Sequence, residues 1–308
     1  MDLCGIGYIG FETPAIEAWR DYGPSVMGFG IGKNPENDPD SLYLRMDDRR
    51  WRLAFHPGEI DRVAYFGWEA VGREAFEGCK AKLDEDSVAY TAGDDDLKTR
   101  RGVRELISFK DPAGFRHEIF YGHKWNPGTF VPGRPHTGFE TEERGFGHAV
   151  VMVPDFSREL EDFFLKTMGM SWYGWGAGKG RTGFFRTKLN NKTSHDIGIG
   201  HAPGKMGIQH IGLTVKSIRD VGETFDLVKQ RQLQMQMTLG QHTQDPHMSF
   251  YHFGPSGFAV ETIVEFEPWP GDTYTELNPE KLSVWGHELV GPIIGPSVKT
   301  PEELLKFD

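Results

Sequence analysis

Apolar and polar positions in the last quarter of the chain predict a β-hairpin. The segment Phe258–Phe266 alternates in polarity and is rich in β-branched and aromatic residues, as is typical of a strand. The turn Gly254–Gly257 precedes it and joins it to a strand that carries Tyr251. Glu261 is in phase with Ile263, so it faces one side of the sheet, where Tyr251 can approach it. A buried glutamate is costly unless it is paired or bound to a metal, whereas an exposed edge position would give it no special role.

Self-similar segments divide the chain into two halves. The strand-like segment Gly7–Phe11, which leads to Pro14, resembles Gly147–Val151, which leads to Pro154. Two more matched pairs follow in the same order: Ala64–Trp68 with Gln209–Leu213, and Asp111–Glu118 with Gly254–Glu261. This order predicts a duplicated domain, in which each copy contains two strand-helix-strands modules.

A stretch rich in proline and glycine, Trp125–Gly138, lies between the two copies. Such composition is typical of a linker. It predicts an N-terminal domain of residues 1–135 and a C-terminal domain of residues 136–308.

Composition limits the partners of the protein. A chain of 308 residues with 38% hydrophobic and 13% aromatic residues can fill packed cores, and its apolar runs are shorter than the roughly 20 residues of a membrane helix. The net charge of -11 disfavours nucleic acid and anionic membrane surfaces as partners. The first residues lack the basic segment of a signal peptide, so we expect a cytoplasmic protein. The two cysteines, Cys4 and Cys79, leave histidine and carboxylate as the metal ligands to consider.

The matched positions of the two copies differ in chemistry. The C-terminal copy carries His148, His210 and Glu261, each on a predicted strand. The N-terminal copy carries two tyrosines and a glutamate at the same three places: Tyr8, Tyr65 and Glu118. Any one of these histidines alone is compatible with an ordinary core position. Together, two histidines and one carboxylate at matched positions indicate the ligand set of a mononuclear Fe(II) centre with open coordination positions.

The hairpin residues carry a resemblance to a known family. The most specific are His242, Phe250-Tyr251, Pro255-Ser256-Gly257 and Glu261, and further similarity extends from Gly5 to His287. On these residues the chain resembles the two-domain type I extradiol catechol dioxygenases of the vicinal oxygen chelate superfamily, in particular the 2,3-dihydroxybiphenyl and 1,2-dihydroxynaphthalene enzymes. The resemblance implies an α+β fold of two duplicated domains, each of two βαβββ modules forming an open barrel.

The resemblance also implies the cofactor and the assembly. Fe(II) would be bound by His148, His210 and Glu261 of the C-terminal domain, and Mn(II) suits the same ligands. The N-terminal domain would be non-catalytic. A homo-oligomer is typical of the family.

Further site residues follow from the resemblance and from the chemistry, which needs acid and base groups beside the metal. His195 matches the acid/base histidine beside the oxygen site, and His242 and Tyr251 match the pair that hydrogen-bonds the substrate hydroxyls. Asp245 would orient His242 or line the pocket. Three further residues would form pocket walls: Phe185, Val150 and Pro279. Gln244 would also contact the substrate, and it departs from the family pattern because biphenyl-type members have Asn there. The second departure is Gly254, which should affect the rigidity of the turn.

The expected reaction is the insertion of both atoms of O2 into a catechol of bicyclic or biaryl type, in aromatic-compound degradation. Three alternatives stay open. The substrate can be a monocyclic, alkyl- or steroid-type catechol. The same scaffold also supports glyoxalase-type isomerases, which need a fourth protein ligand, and metal-free proteins that bind an aromatic compound.

Overall fold

Two large mixed β-sheets form the body of the molecule. In the computed structural model, residues 1–142, 145–176, 182–190, 192–243, 245, 247–266 and 281–305 are described. One sheet has eight strands and is built from the first half of the chain, and the other has nine and is built from the second half. Among the described residues, no helix is both long enough and apolar enough to cross a membrane.

The N-terminal sheet has the strand order β2-β3-β4-β1-β5-β8-β7-β6. Its strands are β1 (Leu3–Thr13), β2 (Gly30–Ile31), β3 (Leu42–Arg45), β4 (Leu53–Pro57), β5 (Arg62–Ala70), β6 (Thr91–Ala92), β7 (Glu105–Lys110) and β8 (Arg116–Tyr121). Its helices are α1 (Ile16–Tyr22), α2 (Arg73–Glu85) and α3 (Asp95–Arg101).

The C-terminal sheet repeats this order as β10-β11-β12-β9-β13-β16-β15-β14 and adds β17 at its edge. Its strands are β9 (His148–Val153), β10 (Ser171–Trp175), β11 (Thr182–Arg186), β12 (Ile197–His201), β13 (Gly207–Thr214), β14 (Met235–His242), β15 (His247–Phe253), β16 (Ala259–Glu265) and β17 (Ser283–Gly286). Its helices are α4 (Arg158–Asp162), α5 (Ile218–Gln230) and α6 (Pro301–Leu305).

Each half of the chain therefore contains two modules of one strand, one helix and three strands, and the second module of the N-terminal half has the additional helix α3 between β6 and β7. This arrangement confirms the predicted α+β fold of duplicated βαβββ modules. The first strands of the two modules pair antiparallel in the middle of each sheet, as β1 with β5 and β9 with β13. The predicted boundary between residues 135 and 136 stays a prediction.

A π-helical turn follows the first helix in both halves. The turns span Gly23–Met27 and Phe163–Thr167, so they occupy equivalent places in the repeat. Gly28 and Gly169 follow with φ angles of 81° and 66°, a left-handed conformation that glycine adopts without steric cost. The dipeptides Met27-Gly28 and Met168-Gly169 thus mark the ends of these turns.

The hairpin turn before β16 packs against the N-terminal half. Phe258 stacks on Phe11 with ring centroids 4.7 Å apart, and the Trp19 indole donates a hydrogen bond of 2.8 Å to Ser256 Oγ. A Cβ added at Gly254 would lie 3.1 Å from the Trp19 ring, which is tight. Glycine at position 254, which departs from the family pattern, therefore leaves room for the Trp19 ring in this contact between the two halves.

Candidate metal centre

Three neighbouring strands bring the proposed ligands together. In the sheet register, Gly212 of β13 pairs with His148 of β9 on one side and with Glu261 of β16 on the other. His210 lies two residues before Gly212 on the same strand, so its side chain points to the same face. A Cβ at Gly212 would lie 2.1 Å from His148 Cε1, so glycine is required there for the imidazole to cross the strand.

The three side chains meet at short distances. His148 Nε2 lies 3.1 Å from His210 Nε2 and 3.1 Å from the Oε2 atom of Glu261. His210 Nε2 lies 3.7 Å from the same oxygen. Two imidazole nitrogens and a carboxylate oxygen at such separations suit a single shared cation, and nitrogen and oxygen ligands of this kind suit Fe(II) and Mn(II).

The protonation states fit metal binding. Burial acts to raise the pKa of Glu261, but the hydrogen bond and charge of His148 outweigh it and hold this pKa well below its usual range. Burial lowers the pKa of His210 to about 3. The site thus presents a carboxylate and a neutral imidazole at neutral pH, which are the ligand forms that bind metal.

Gln209 fixes the orientation of His210. Its Oε1 atom accepts a hydrogen bond from His210 Nδ1, and its Nε2 atom donates to the Ile293 carbonyl at 2.9 Å. Because Nδ1 carries the proton, Nε2 presents its lone pair to the other ligands. Gln209 was not among the site residues predicted from the sequence, although Gln209 directly precedes the predicted ligand His210.

His195 lies against His148. Their ring centroids are 4.4 Å apart, and the Phe184 ring lies 4.4 Å away from His195 on another side. His195 Nδ1 lies 2.7 Å from Ser194 Oγ, while its buried Nε2 has no hydrogen-bond partner among the described residues. Burial, with the neighbouring His148, lowers the pKa of His195 well below its usual value. The structure therefore places a neutral imidazole with one uncommitted nitrogen beside the ligand group.

Tyr251 and His242 form a hydrogen-bonded pair on the other side of the site. His242 Nδ1 lies 3.0 Å from the Leu282 carbonyl, an acceptor, so Nε2 is free to accept from the Tyr251 hydroxyl at 2.8 Å. Burial and the charge of Glu261 raise the pKa of Tyr251 well above its usual value. His287, which the sequence analysis left outside the site, lies beside His242 with a centroid distance of 4.2 Å.

A cavity of about 400 Å³ opens above the ligand group. Val150 and Asp245 line it, as predicted from the sequence, together with His201 and His247. Phe185 does not line it: its ring packs in the core, 5.2 Å from Trp172 and 5.2 Å from Phe164. Phe184, on the opposite face of β11, lines the cavity instead. Gln244 and Pro279 lie outside the described residues.

His252 lies on the opposite face of β15 from Tyr251, as strand alternation predicts. It is fully buried, and its Nε2 atom lies 2.6 Å from the Tyr22 hydroxyl of the N-terminal half. It therefore belongs to the contact between the two halves of the chain.

The N-terminal sheet holds a guanidinium at the position equivalent to the candidate metal centre. The Tyr8 hydroxyl donates to Glu118 at 2.8 Å, and Arg101 binds both carboxylate oxygens of Glu118 at 2.8 and 3.0 Å. The Arg101 guanidinium lies 3.6 Å from the centre of the Tyr65 ring. A buried guanidinium thus neutralises the carboxylate that is equivalent to Glu261.

Comparison with known proteins agrees with this arrangement. Residues 6–58 match the family model for the first domain of dihydroxybiphenyl dioxygenase, and residues 145–262 match the glyoxalase/bleomycin resistance protein/dioxygenase superfamily. An iron-dependent extradiol dioxygenase of Rhodococcus jostii is 32% identical over 94% of this chain and 98% of its own length. A biphenyl-2,3-diol 1,2-dioxygenase of Paraburkholderia xenovorans is 33% identical over 94% of this chain and 97% of its own.

A solved structure extends the likeness to three dimensions. The crystal structure of a halotolerant catechol dioxygenase has a TM-score of 0.88 and 31% sequence identity, covering 96% of this chain and 98% of that one. The paired βαβββ modules and the superfamily match place this chain among the proteins of vicinal oxygen chelate fold. Within that fold, this chain belongs to the family of two-domain extradiol dioxygenases.

Proposed function

We propose that this protein is an Fe(II)-dependent extradiol dioxygenase, an oxidoreductase that inserts both atoms of O2 into a catechol and opens the ring beside its hydroxyl groups. The observation that carries the proposal is the convergence of His148, His210 and Glu261 beneath a cavity that also contains His195 and Tyr251. The relatives with the same overall fold, one of them named as iron-dependent, support this reaction and this metal.

His148, His210 and Glu261 would hold the metal on strands β9, β13 and β16. When bound, Fe(II) supplies a site where catechol and O2 come together and a route for electrons between them; Mn(II) suits the same ligands. The hydrogen bond from His210 Nδ1 to Gln209 keeps the ligand nitrogen deprotonated before the metal arrives.

Tyr251 and His242 would bind the substrate oxygens. The raised pKa of Tyr251 keeps its hydroxyl protonated at neutral pH, so it can donate a hydrogen bond to a catecholate oxygen. The second substrate hydroxyl can pass its proton to the Tyr251 oxygen while Tyr251 passes its own proton to His242 Nε2, which leaves the Tyr251 hydroxyl intact to donate to the catecholate oxygen. The Leu282 carbonyl holds the imidazole in the tautomer that permits this transfer.

His195 would move protons on the oxygen side of the site. Its Nε2 atom has no partner among the described residues, and Ser194 fixes the opposite nitrogen. A neutral imidazole in this position can accept a proton early in the reaction and return it to an oxygen later, a role that typically contributes 10²- to 10⁴-fold to the rate.

The cavity supports a substrate with a bulky apolar substituent. Its volume of about 400 Å³ is within the usual range for small-molecule sites, roughly 300–1,000 Å³. Apolar side chains dominate the walls away from the ligands: Val150, Phe184, Met237, Leu282, Leu289 and Ile293. We therefore favour a biaryl or bicyclic catechol. The similar structure named as a catechol dioxygenase keeps a monocyclic catechol as the second candidate.

Oxygen consumption tests the reaction. Under air, the Fe(II)-loaded protein should consume O2 and turn a solution of 2,3-dihydroxybiphenyl yellow, with kcat/KM at least tenfold higher than for catechol. A higher kcat/KM for catechol than for 2,3-dihydroxybiphenyl would identify a monocyclic catechol as the preferred substrate. A glyoxalase-type isomerase or a metal-free binding protein would consume no O2 with any catechol.

Metal analysis tests the ligands. We expect about one iron per chain, and replacement of His148, His210 or Glu261 by Ala should remove iron and activity together. Full iron content in His210→Ala would contradict the ligand set. The non-catalytic role of residues 1–135, the cytoplasmic location and the homo-oligomeric state stay predictions, and light scattering of the purified chain would test the last.

A further inference from the structure

A second cavity lies on the N-terminal sheet at the place equivalent to the catalytic cavity. Its volume is about 510 Å³. Repeat-equivalent residues line the two cavities, as the strand registers show: Ser41 and Thr182, Pro57 and His201, Tyr65 and His210. The duplication has therefore produced two concave sites, and the proposed function assigns a role to one of them.

The second cavity is basic, although the protein has a net charge of -11. Five cationic side chains line it, against the two carboxylates of Glu12 and Asp38: Arg62, Arg100, Arg101, Lys110 and Arg116. Both carboxylates already have partners. Glu12 accepts from Arg62 at 2.8 Å, and Asp38 accepts from the Ser41 hydroxyl at 2.6 Å.

Arg116 and Arg100 retain hydrogen-bonding capacity. Arg116 has one contact of 3.2 Å with Glu118, a carboxylate that Arg101 already binds through both oxygens. Arg100 pairs with Asp96 at 3.1 Å. The Nε atoms of Arg100 and Arg116 are buried without a hydrogen-bond partner among the described residues. The two side chains are nonetheless 38% and 39% exposed, and a guanidinium has five N–H donors, so donors outside these contacts can bind the oxygens of an anion.

Apolar groups complete the wall. Phe115 and Val63 line the cavity from the N-terminal sheet, and Met206 and Leu304 line it from the C-terminal half. Inorganic anions gain nothing from such a surface, whereas a carboxylate attached to an apolar body uses both parts of the cavity.

We propose that this cavity binds a small aromatic carboxylate, with its charged group on Arg116 and Arg100 and its ring against Phe115 and Met206. The site is separate from the proposed metal centre and does not depend on the reaction there. Since Met206 and Leu304 belong to the other half of the chain, a bound ligand would contact both halves.

Isothermal titration with benzoate tests the proposal on the iron-loaded, full-length protein. We expect saturable binding of one benzoate per chain, with affinity lowered roughly ten- to hundredfold in Arg116→Gln and in Arg100→Gln, the usual effect of losing a charge-assisted hydrogen bond. Benzamide, which has the same shape without the charge, should bind far more weakly. Arg158→Gln is the matched control, because Arg158 is an exposed arginine of α4 that does not line the cavity.

Competition separates this site from the catalytic cavity. Catechol added without oxygen should leave benzoate affinity unchanged. Displacement of benzoate by catechol, absence of binding, or equal affinity in both arginine variants and wild type would overturn the proposal. Binding of phosphate in preference to benzoate would overturn the assignment of the ligand as a carboxylate. Unchanged circular dichroism of the Arg100→Gln protein would show that a loss of affinity is local.

Discussion

Gly212 decides whether the imidazole of His148 can reach the ligand group, since a Cβ there would lie 2.1 Å from His148 Cε1. We expect Gly212→Ala to lower iron content and O2 uptake at least tenfold, because the ring must shift away from the other ligands. Gly222→Ala is the control: it lies in α5, no atom approaches within 4 Å of the new Cβ, and helix propensity should add about 0.5–1 kcal/mol of stability. Normal iron content in Gly212→Ala would show that β13 can adjust.

Arg101 occupies the position in the N-terminal sheet that is equivalent to the candidate metal centre. Arg101→Met should destabilise the protein by about 3–5 kcal/mol in urea unfolding, because Glu118 would remain buried with a single 3.2 Å contact to the partly exposed Arg116 as its ion pair. The double variant Arg101→Met with Glu118→Leu should recover much of that loss, since an apolar pair of similar size carries no desolvation cost. Equal loss in the single and double variants would contradict this account.

His195 lies beside the ligand group without belonging to it. His195→Gln should retain iron and bind catechol anaerobically, while turnover falls by about 10²- to 10⁴-fold. Ser194→Ala removes the 2.7 Å contact that orients the ring but keeps the imidazole, so a smaller loss is expected. Stopped-flow mixing of the enzyme–catechol complex with O2 measures the affected steps. Wild-type turnover in His195→Gln would exclude an acid/base role.

Sequence reasoning at the residue scale succeeded where the repeat supplied a comparison. The matched positions of the two copies indicated His148, His210 and Glu261, and the structure groups them. Gln209 and Gly212 were missed, although glycine recurs at both matched positions, 67 and 212. At each of them a Cβ would lie 2.1 Å from the ring of the residue that the ligand comparison singled out, Tyr8 or His148.

At the scale of elements, the strands predicted around His148, His210 and Glu261 agree with β9, β13 and β16 to within two residues. The prediction that Phe185 lines the cavity was wrong, because β11 faces the cavity with Phe184 instead. The two adjacent phenylalanines are alike, so the sequence did not indicate which of them faces the core. Neighbouring residues on a strand point to opposite faces, so one of the pair must line the cavity. The hydrophobic pattern also did not predict the π-helical turns, because each of them directly continues an α-helix.

A matched pair of variants tests which of Phe184 and Phe185 faces the core and which faces the cavity. Phe185→Ala should cost about 3–5 kcal/mol of stability, because its fully buried ring fills the core. Phe184→Ala should cost less and should instead raise KM for 2,3-dihydroxybiphenyl. Urea unfolding and steady-state kinetics on the same preparations compare the two. The reverse result would place Phe185 in the cavity.

At the scale of the whole molecule, a buried histidine couples the contact between the two halves to pH. Burial lowers the pKa of His252 from its ordinary value of 6.5 to about 3. The unfolded chain therefore binds a proton that the folded chain excludes, so stability present above pH 6.5 is lost as the pH falls toward 3. The contribution reaches about 1.4 kcal/mol per pH unit within this window.

We expect His252→Gln to reduce the slope of unfolding free energy against pH between pH 6 and 4. Tyr22→Phe is the control, because it removes the 2.6 Å hydrogen bond while the buried imidazole remains, so the slope should persist at lower overall stability. Urea titrations at several pH values measure both. An unchanged slope in His252→Gln would assign the acid sensitivity to other titratable groups.

The stack of Phe258 on Phe11, with the hydrogen bond from Trp19 to Ser256, has a consequence for how the two copies evolve. A duplicate that has lost its own chemistry usually accumulates substitutions freely. Here the strand that follows this stack carries Glu261, so changes at Phe11 or Trp19 would alter the position of a residue needed for turnover. Natural selection on the reaction should therefore also act on the N-terminal copy, for which we predict no catalytic role.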